Sequence, residues 1–275
     1  MADCTPWLAL AVGNSRLHWG AFAGAQWLGE WHTPHFTPDQ AQTLMEVGFA
    51  AWAWASLVAD DWESEPPNLG AATAPVDPAP MDLWMASMVK DQGDLWRRYP
   101  LCHGVSTNQV PLPGTYPTLG VDRALALVGA GETYGWPVLV VDGGTALTLT
   151  AGADRNLVGG AIWPGLRSQF RALHDYTDGL PLIAPDLGTL PPRWATTTAE
   201  AMASGVLYSQ LAGLREFITD WRQRYPGGQV VFTGGDGPTL ATALTLQNPD
   251  WAGIIQVDAA LVFWGLRVCR KIRKD

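Results

Sequence analysis

Asp142, Gly143, Gly144 and Thr145 stand together at the end of an apolar run, Val138–Val141. One carboxylate, two residues without side chains and one hydroxyl make a compact set of groups for a nucleotide phosphate and its metal. The glycines permit backbone angles that a side chain forbids, and they let an anion approach bare N–H groups. A second pair, Asp122 and Arg123, lies in "TLGVDRALALVGA" at the head of a helical pattern. A carboxylate there can accept a proton from an alcohol, and a guanidinium is shaped for an anion. Both segments also admit plainer readings. The first is equally an ordinary hairpin with an Asp-Gly turn, and Asp122 equally a charge that complements a helix N-terminus.

The elements around these residues must place them. Val138–Val141 suits a strand covered on both faces. Thr145–Thr150 reads as the returning strand, with Leu147 and Leu149 on one face and Thr148 and Thr150 on the other. An echo of this arrangement begins at Leu8, in "LALAVGNSRLHWGAFAGAQWLGEW", where Ala11 aligns with Asp142 and Gly13 with Gly144, 131 residues apart. Each segment predicts strand, glycine turn, strand, small-residue turn, strand; chance likeness between two β-hairpins is the competing explanation. A true echo implies two related α/β halves, each opening with a β-meander, with two phosphate-facing hairpins across a cleft. Helical spacing is expected over Thr37–Val47, Asp82–Arg98, Gly120–Tyr134, Glu200–Arg224, Pro238–Thr245 and Ala259–Lys271. Short β runs are expected at Trp52–Val58 and Gln229–Thr233, and surface loops at Glu63–Met81 and Ala184–Arg193.

The 275-residue chain is 47% hydrophobic and carries a net charge of −9, which argues against a nucleic-acid-binding face. The one basic cluster, Arg267–Lys274, reads as the solvated end of a helix. Three cysteines without a CxxC pair argue against a disulfide framework or a zinc site and fit a reducing cytoplasm. No basic n-region opens the chain, and no apolar run approaches the ~18 residues of a membrane span, so neither a signal segment nor membrane insertion is expected. Most of the 15 tryptophans are expected to fill core or interface. His18, His32, His35, His103 and His174 lack ligand-like spacing and are expected to be structural or superficial.

Two further stretches complete a pattern: "LVGGAIWPGLRSQ", with a glycine pair before Pro164-Gly165, and "QVVFTGGDGPTL", where a strand ends in Thr233-Gly234-Gly235. In this order and spacing the motifs resemble the type III pantothenate kinases, within the superfamily of sugar kinases, acetate kinase and actin. The resemblance spans nearly the whole chain, from about Trp7 to the final helix. It implies an α/β fold of two ribonuclease H-like (actin-like ATPase) domains with a nucleotide cleft between them, here 1–119 and 120–275. It implies transfer of the ATP γ-phosphate to the primary hydroxyl of pantothenate, by a homodimer using Mg²⁺ and a monovalent cation, K⁺ or NH₄⁺.

The resemblance also assigns residues. Asp122 matches the general base. Gly120, Val121 and Arg123 match pantothenate contacts, with Tyr116 beside them, and Thr198 matches a contact made across the dimer interface, alongside a plain N-cap reading. Gly13, Asn14, Ser15, Arg16, Thr145, Gly234 and Gly235 match the ATP contacts, and Asp142 the monovalent-cation ligand. Gly159 and Gly160 are expected to serve tight packing. One departure stands out: the family's first hairpin carries an aspartate, expected to help hold Mg²⁺, where this chain has Ala11. Two other readings follow from the same residues. One is a superfamily kinase for another alcohol, and the other a catalytically weak nucleotide-binding homologue with a regulatory role.

Overall fold

The computed structural model describes residues 5–50, 53–54, 57, 80–184 and 189–274. Three strands come first: β1 (Pro6–Val12), β2 (Leu17–Ala23) and β3 (Gln26–Thr33). Their short connections allow only hairpins, and they pair as an antiparallel meander. Helix α1 (Pro38–Glu46) follows, started by a capping box in which Thr37 accepts from the Gln40 N–H and Gln40 accepts from the Thr37 N–H. β4 (Asp82–Ser87), α2 (Lys90–Trp96) and β5 (Cys102–Gly104) complete a sheet of order β3-β2-β1-β4-β5, in which β4 and β5 run parallel to β1.

Helix α3 (Val121–Tyr134) leads to a second meander, β6 (Val138–Gly143), β7 (Ala146–Ala153) and β8 (Asn156–Pro164). Then come α4 (Leu166–Asp175), α5 (Thr198–Arg224), β9 (Gln229–Thr233), α6 (Gly237–Gln247), β10 (Ile255–Val257) and α7 (Leu261–Lys274). The second sheet has the order β8-β7-β6-β9-β10, with β9 parallel to β6 and β10 parallel to β9. Both sheets are therefore an antiparallel meander extended by two parallel strands on the side of the first strand. This is the ribonuclease H-like arrangement, present twice.

The described residues up to Gly129, with those from Val262 onward, form one compact unit, and Ala130–Leu261 forms the other. The sequence reading draws its division at 119/120 and leaves the last helix with the second half. Here α7 groups with the first unit. Gly265 sits so close to the Leu125 carbonyl that no Cβ would fit, Trp264 meets Trp27 at 4.9 Å, and the Arg270 guanidinium lies 4.8 Å over Trp7.

Each unit has its own core. In the first, Trp19 packs against Trp54 and Trp96 at 5.0 Å and against Trp31 at 6.0 Å, with all four rings fully buried. Burying a side chain of Phe size is worth about 1.5–3 kcal/mol, so this aromatic nest accounts for much of the first unit's cohesion. In the second, Leu207, Leu211, Leu214 and Ile218 form one stripe of α5 at helical spacing and cover Val141, Leu149 and Phe232 of the sheet.

Three sequence expectations need correction. Asp82–Arg98 is not one helix: Leu83–Ala86 are all buried in a strand between β1 and β5, and only after Ser87 does a helix begin. A run covered on both faces has no period-2 signature, which is why it passes for a helix. The strand expected at Trp52–Val58 lies partly outside the described residues, but 53–54 are helical. Gly159 does not serve packing, since nothing stands within 4 Å of a Cβ built there; its φ of 155° marks a conformational role beside the register shift of β7 and β8. Of the loop expected at Glu63–Met81, residues 63–79 lie outside the described residues, as do 185–188 of Ala184–Arg193.

Candidate active site

In the first unit, α3 begins at Val121, so Asp122 falls in its first turn. The chain is steered into this turn by Leu119, whose N–H donates to the Tyr116 carbonyl at 3.0 Å and whose carbonyl accepts from the Thr107 hydroxyl at 2.9 Å. Oδ1 of Asp122 accepts from the Arg123 N–H at 2.8 Å. Position 120 must be glycine for this carboxyl to sit where it does, because a Cβ there would overlap Asp122 Oδ1 and lie 3.2 Å from Met88 Cε. Burial pushes the Asp122 carboxyl above its ordinary range; the N–H and the charge of Arg123 act against that. A carboxylate with raised proton affinity is a better general base near neutral pH. Arg123 is buried, and its Nη1 donates to the Tyr116 hydroxyl at 3.3 Å. Tyr116, Gly120, Val121, Asp122 and Arg123 are thus one cluster.

The first hairpin turn closes with the Gly13 N–H donating to the Arg16 carbonyl at 3.0 Å and leaves Asn14 and Ser15 exposed. The Gly13 carbonyl accepts from His35 Nε2 at 2.8 Å. Ala11 pairs with His18 across the meander and with Ala86 on the parallel side. His18 Nδ1 meets His32 Nδ1 at 3.0 Å, so one ring donates and the other accepts. Burial first, then the charges of His32 and Arg16, lower the His18 pKa to about 4, and the ring is neutral at physiological pH.

The second hairpin tip is more tightly framed. Asp142 pairs with Thr148 and, on the parallel side, with Thr233. The Gly143 carbonyl accepts from the Asp236 N–H at 2.8 Å, at the start of α6. The Thr145 carbonyl accepts from the Gly165 N–H at 3.0 Å and the Ser168 hydroxyl at 2.6 Å, at the start of α4. Two helices therefore begin against this tip, each with first-turn N–H groups that lack intrahelical acceptors. Gly234 has a φ of 78°, and a Cβ there would overlap Asp142 Oδ1. Gly235 is exposed and faces open space. Burial raises the Asp236 carboxyl pKa, against the nearby charge of Arg167.

Thr198 is the exposed first residue of α5, but the cap is its neighbour: Thr197 Oγ1 accepts from the Glu200 N–H at 3.4 Å and donates to Glu200 Oε2 at 2.9 Å. The N-cap reading of Thr198 therefore passes to Thr197. Sequence reasoning missed His35, Ser168 and Asp236. Of these, only Asp236 carries a local signal, as the residue between a glycine pair and Gly237-Pro238. Among the described residues, no group of three or more His, Cys, Asp or Glu side chains is placed to hold a metal ion.

A family model of the type III pantothenate kinases matches residues 7–220. The chain belongs to the type III pantothenate kinases. The match takes in the Gly13–Arg16 turn, the Asp122 cluster, the Asp142 tip and Thr198; Gly234 and Gly235 lie beyond it but within the alignment to full-length relatives. A type III pantothenate kinase from a Nostoc species is 41% identical over 271 residues, covering 95% of this chain and 93% of its own. One from a Synechococcus species is 40% identical, covering 99% of this chain and 96% of its own. Among solved structures, a conserved Campylobacter jejuni protein assigned to the Baf family of transcriptional activators aligns over 97% of this chain and 98% of its own, at 16% identity and a TM-score of 0.60. A Sinorhizobium meliloti protein assigned as a 2-dehydro-3-deoxygalactonokinase aligns over 97% and 96%, at 14% identity and a TM-score of 0.55. These two likenesses concern the fold.

Proposed function

We propose that this chain is a pantothenate kinase, transferring the γ-phosphoryl group of ATP to the primary hydroxyl of pantothenate to give 4'-phosphopantothenate and ADP, the first step toward coenzyme A. Family membership over most of the chain supports the activity. The half-buried Asp122, seated against Gly120 with its proton affinity raised, is the observation that carries the mechanism. The hydroxyl oxygen attacks the γ-phosphorus, the bond from that phosphorus to the β–γ bridging oxygen breaks, and Asp122 takes the hydroxyl proton. Arg123, with Tyr116 on its guanidinium, binds the pantothenate carboxylate; Gly120 and Val121 line the same pocket. Gly13, Asn14, Ser15, Arg16, Thr145, Gly234 and Gly235 bind ATP through turn amides, hydroxyls and the Arg16 charge.

Asp142 would hold the monovalent cation, since one carboxylate among backbone carbonyls suits a singly charged ion. That cation would offset charge as the phosphoryl group moves. Residues fit for Mg²⁺ are a different matter. Ala11 offers no side-chain oxygen, and Asn14 and Ser15 are neutral, so the first hairpin does not supply the carboxylate that Mg²⁺ ordinarily takes from protein. Mg²⁺ would instead come and go with the phosphates of ATP. We further place the enzyme in the cytoplasm as a homodimer in which Thr198 reaches the partner's pantothenate; the exposure of Thr198 and its freedom from capping support this. No helix among the described residues is long and apolar enough to cross a membrane.

The test is to supply ATP with pantothenate, and separately with hexoses, and to follow ADP release. Turnover with pantothenate alone is expected. Turnover with sugars alone would reassign the substrate, and ATP binding without turnover would favour the regulatory homologue that Ala11 suggests.

A further inference from the structure

We propose that His35 is a positioning residue for the nucleotide-facing turn Gly13–Arg16, its imidazole doing for the first hairpin what the Gly165 backbone N–H does for the second. The proposal rests on the reading that this turn binds ATP.

Strand register makes the two positions equivalent. In the first sheet Val12 pairs with Leu17, and Leu17 with Thr33. In the second, Gly143 pairs with Leu147, and Leu147 with Trp163. Two residues past the end of each row stand His35 and Gly165, each preceded by a proline. Both hold a carbonyl of their own hairpin tip: the Gly165 N–H donates to Thr145 O at 3.0 Å, and His35 Nε2 donates to Gly13 O at 2.8 Å. The means differ because the spacing differs. At Gly165 the backbone lies so close to the tip that a Cβ would overlap the Gly144 carbonyl. At His35 a side chain closes the gap. A carbonyl has no proton to give, so Nε2 of His35 must carry the hydrogen.

His35 is itself held. The next residue, Phe36, is buried in the aromatic nest 5.8 Å from Trp96, and its carbonyl accepts from Gln92 Nε2 at 3.1 Å. The imidazole thus connects the core of the first unit to the main chain of the turn, one residue before the exposed Asn14 and Ser15. A turn pinned before ATP arrives has less freedom to lose on binding.

The experiment compares wild type with His35→Leu, which keeps bulk but not the donor, and His35→Gln, whose amide can reach the same carbonyl. Binding of a non-hydrolysable ATP analogue is measured by titration calorimetry, steady-state constants for both substrates by ADP release, and fold by thermal melting. One net hydrogen bond predicts that His35→Leu weakens analogue binding and raises KM for ATP about threefold to tenfold, that KM for pantothenate moves less than about twofold, and that His35→Gln returns close to wild type. Nucleotide binding by His35→Leu equal to wild type overturns the proposal, as does a His35→Gln variant as impaired as the leucine. An equal rise in both KM values points to general loosening and overturns it too. Should His35→Leu fail to fold, His35→Gln is compared with His35→Asn, whose amide is one methylene short; equal nucleotide affinity in these two overturns the proposal. Wild-type protein that binds ATP but leaves pantothenate untouched would sink the substrate reading while the calorimetric arm still decides His35.

Discussion

A methyl group on Gly120 would collide with Oδ1 of Asp122. The carboxyl and the glycine therefore form one unit of structure, and the glycine is there for the space rather than for its backbone freedom. Gly120→Ala should displace the carboxyl by a rotamer or tilt the first turn of α3. A misplacement of that size can cost about a hundredfold in kcat. ADP release under saturating ATP and pantothenate checks this; a variant with wild-type kcat would show that the carboxyl need not sit where it does.

Asp122→Asn removes the proton acceptor while keeping size and the contact with the Arg123 N–H. A loss of about 10²–10⁴ in kcat is expected, with KM for ATP little changed. In wild type the acid limb of the pH–kcat profile should lie above the ordinary aspartate value, because burial raises the pKa of Asp122. The limb should vanish in the residual activity of the variant.

Stability should respond to pH in opposite senses at two sites. The Asp122 pKa is raised in the folded state, so its contribution is full below the ordinary aspartate range and is lost as pH rises through the raised value. Asp122→Asn should therefore melt higher than wild type at neutral pH, with the difference shrinking as pH falls into the ordinary aspartate range. His18 is lowered from 6.5 to about 4, so its contribution is full above 6.5 and is lost as pH falls toward 4. His18→Leu should flatten the acid side of a melting-temperature profile between those two values. Melting temperatures across pH 3.5–8 separate the two effects.

Gly234→Ala meets two obstacles at once: a φ of 78° that costs a non-glycine residue about 1–2 kcal/mol, and overlap with Asp142 Oδ1. The expected result is a raised KM for ATP together with weakened activation by K⁺ or NH₄⁺. Titrating each cation against the rate at fixed ATP measures both. Unchanged cation activation would separate Asp142 from the cation.

Much of this was readable in the sequence because it is written in local chemistry. The two meanders show as apolar runs broken by glycine turns and followed by returning strands, and the start of α3 shows as Asp122 ahead of a helical pattern of small and apolar residues. β4 escaped because Leu83–Ala86 is buried on both faces and carries no alternation, and, unlike the equally buried β6, it is not followed by a glycine turn that marks its end. β5 and β10, at three residues each, are too short to show any period. The start of α4 hides behind Pro164-Gly165, where the glycine is required by a carbonyl twenty-one residues earlier in the chain. His35 reaches back to Gly13, 22 positions earlier and on the far side of the meander's two returning strands, and nothing near it in sequence announces the contact.

The tryptophan nest of the first unit has an optical consequence. Trp19 and Trp31 lie nearly parallel at 6.0 Å, while Trp54 stands edge-on to both at 5.0 and 5.1 Å. Indole transitions held this close and at fixed angles couple as excitons. The near-ultraviolet circular dichroism of the native chain should thus carry a couplet that originates in one half of the molecule, a label-free signal of whether that half has kept its shape.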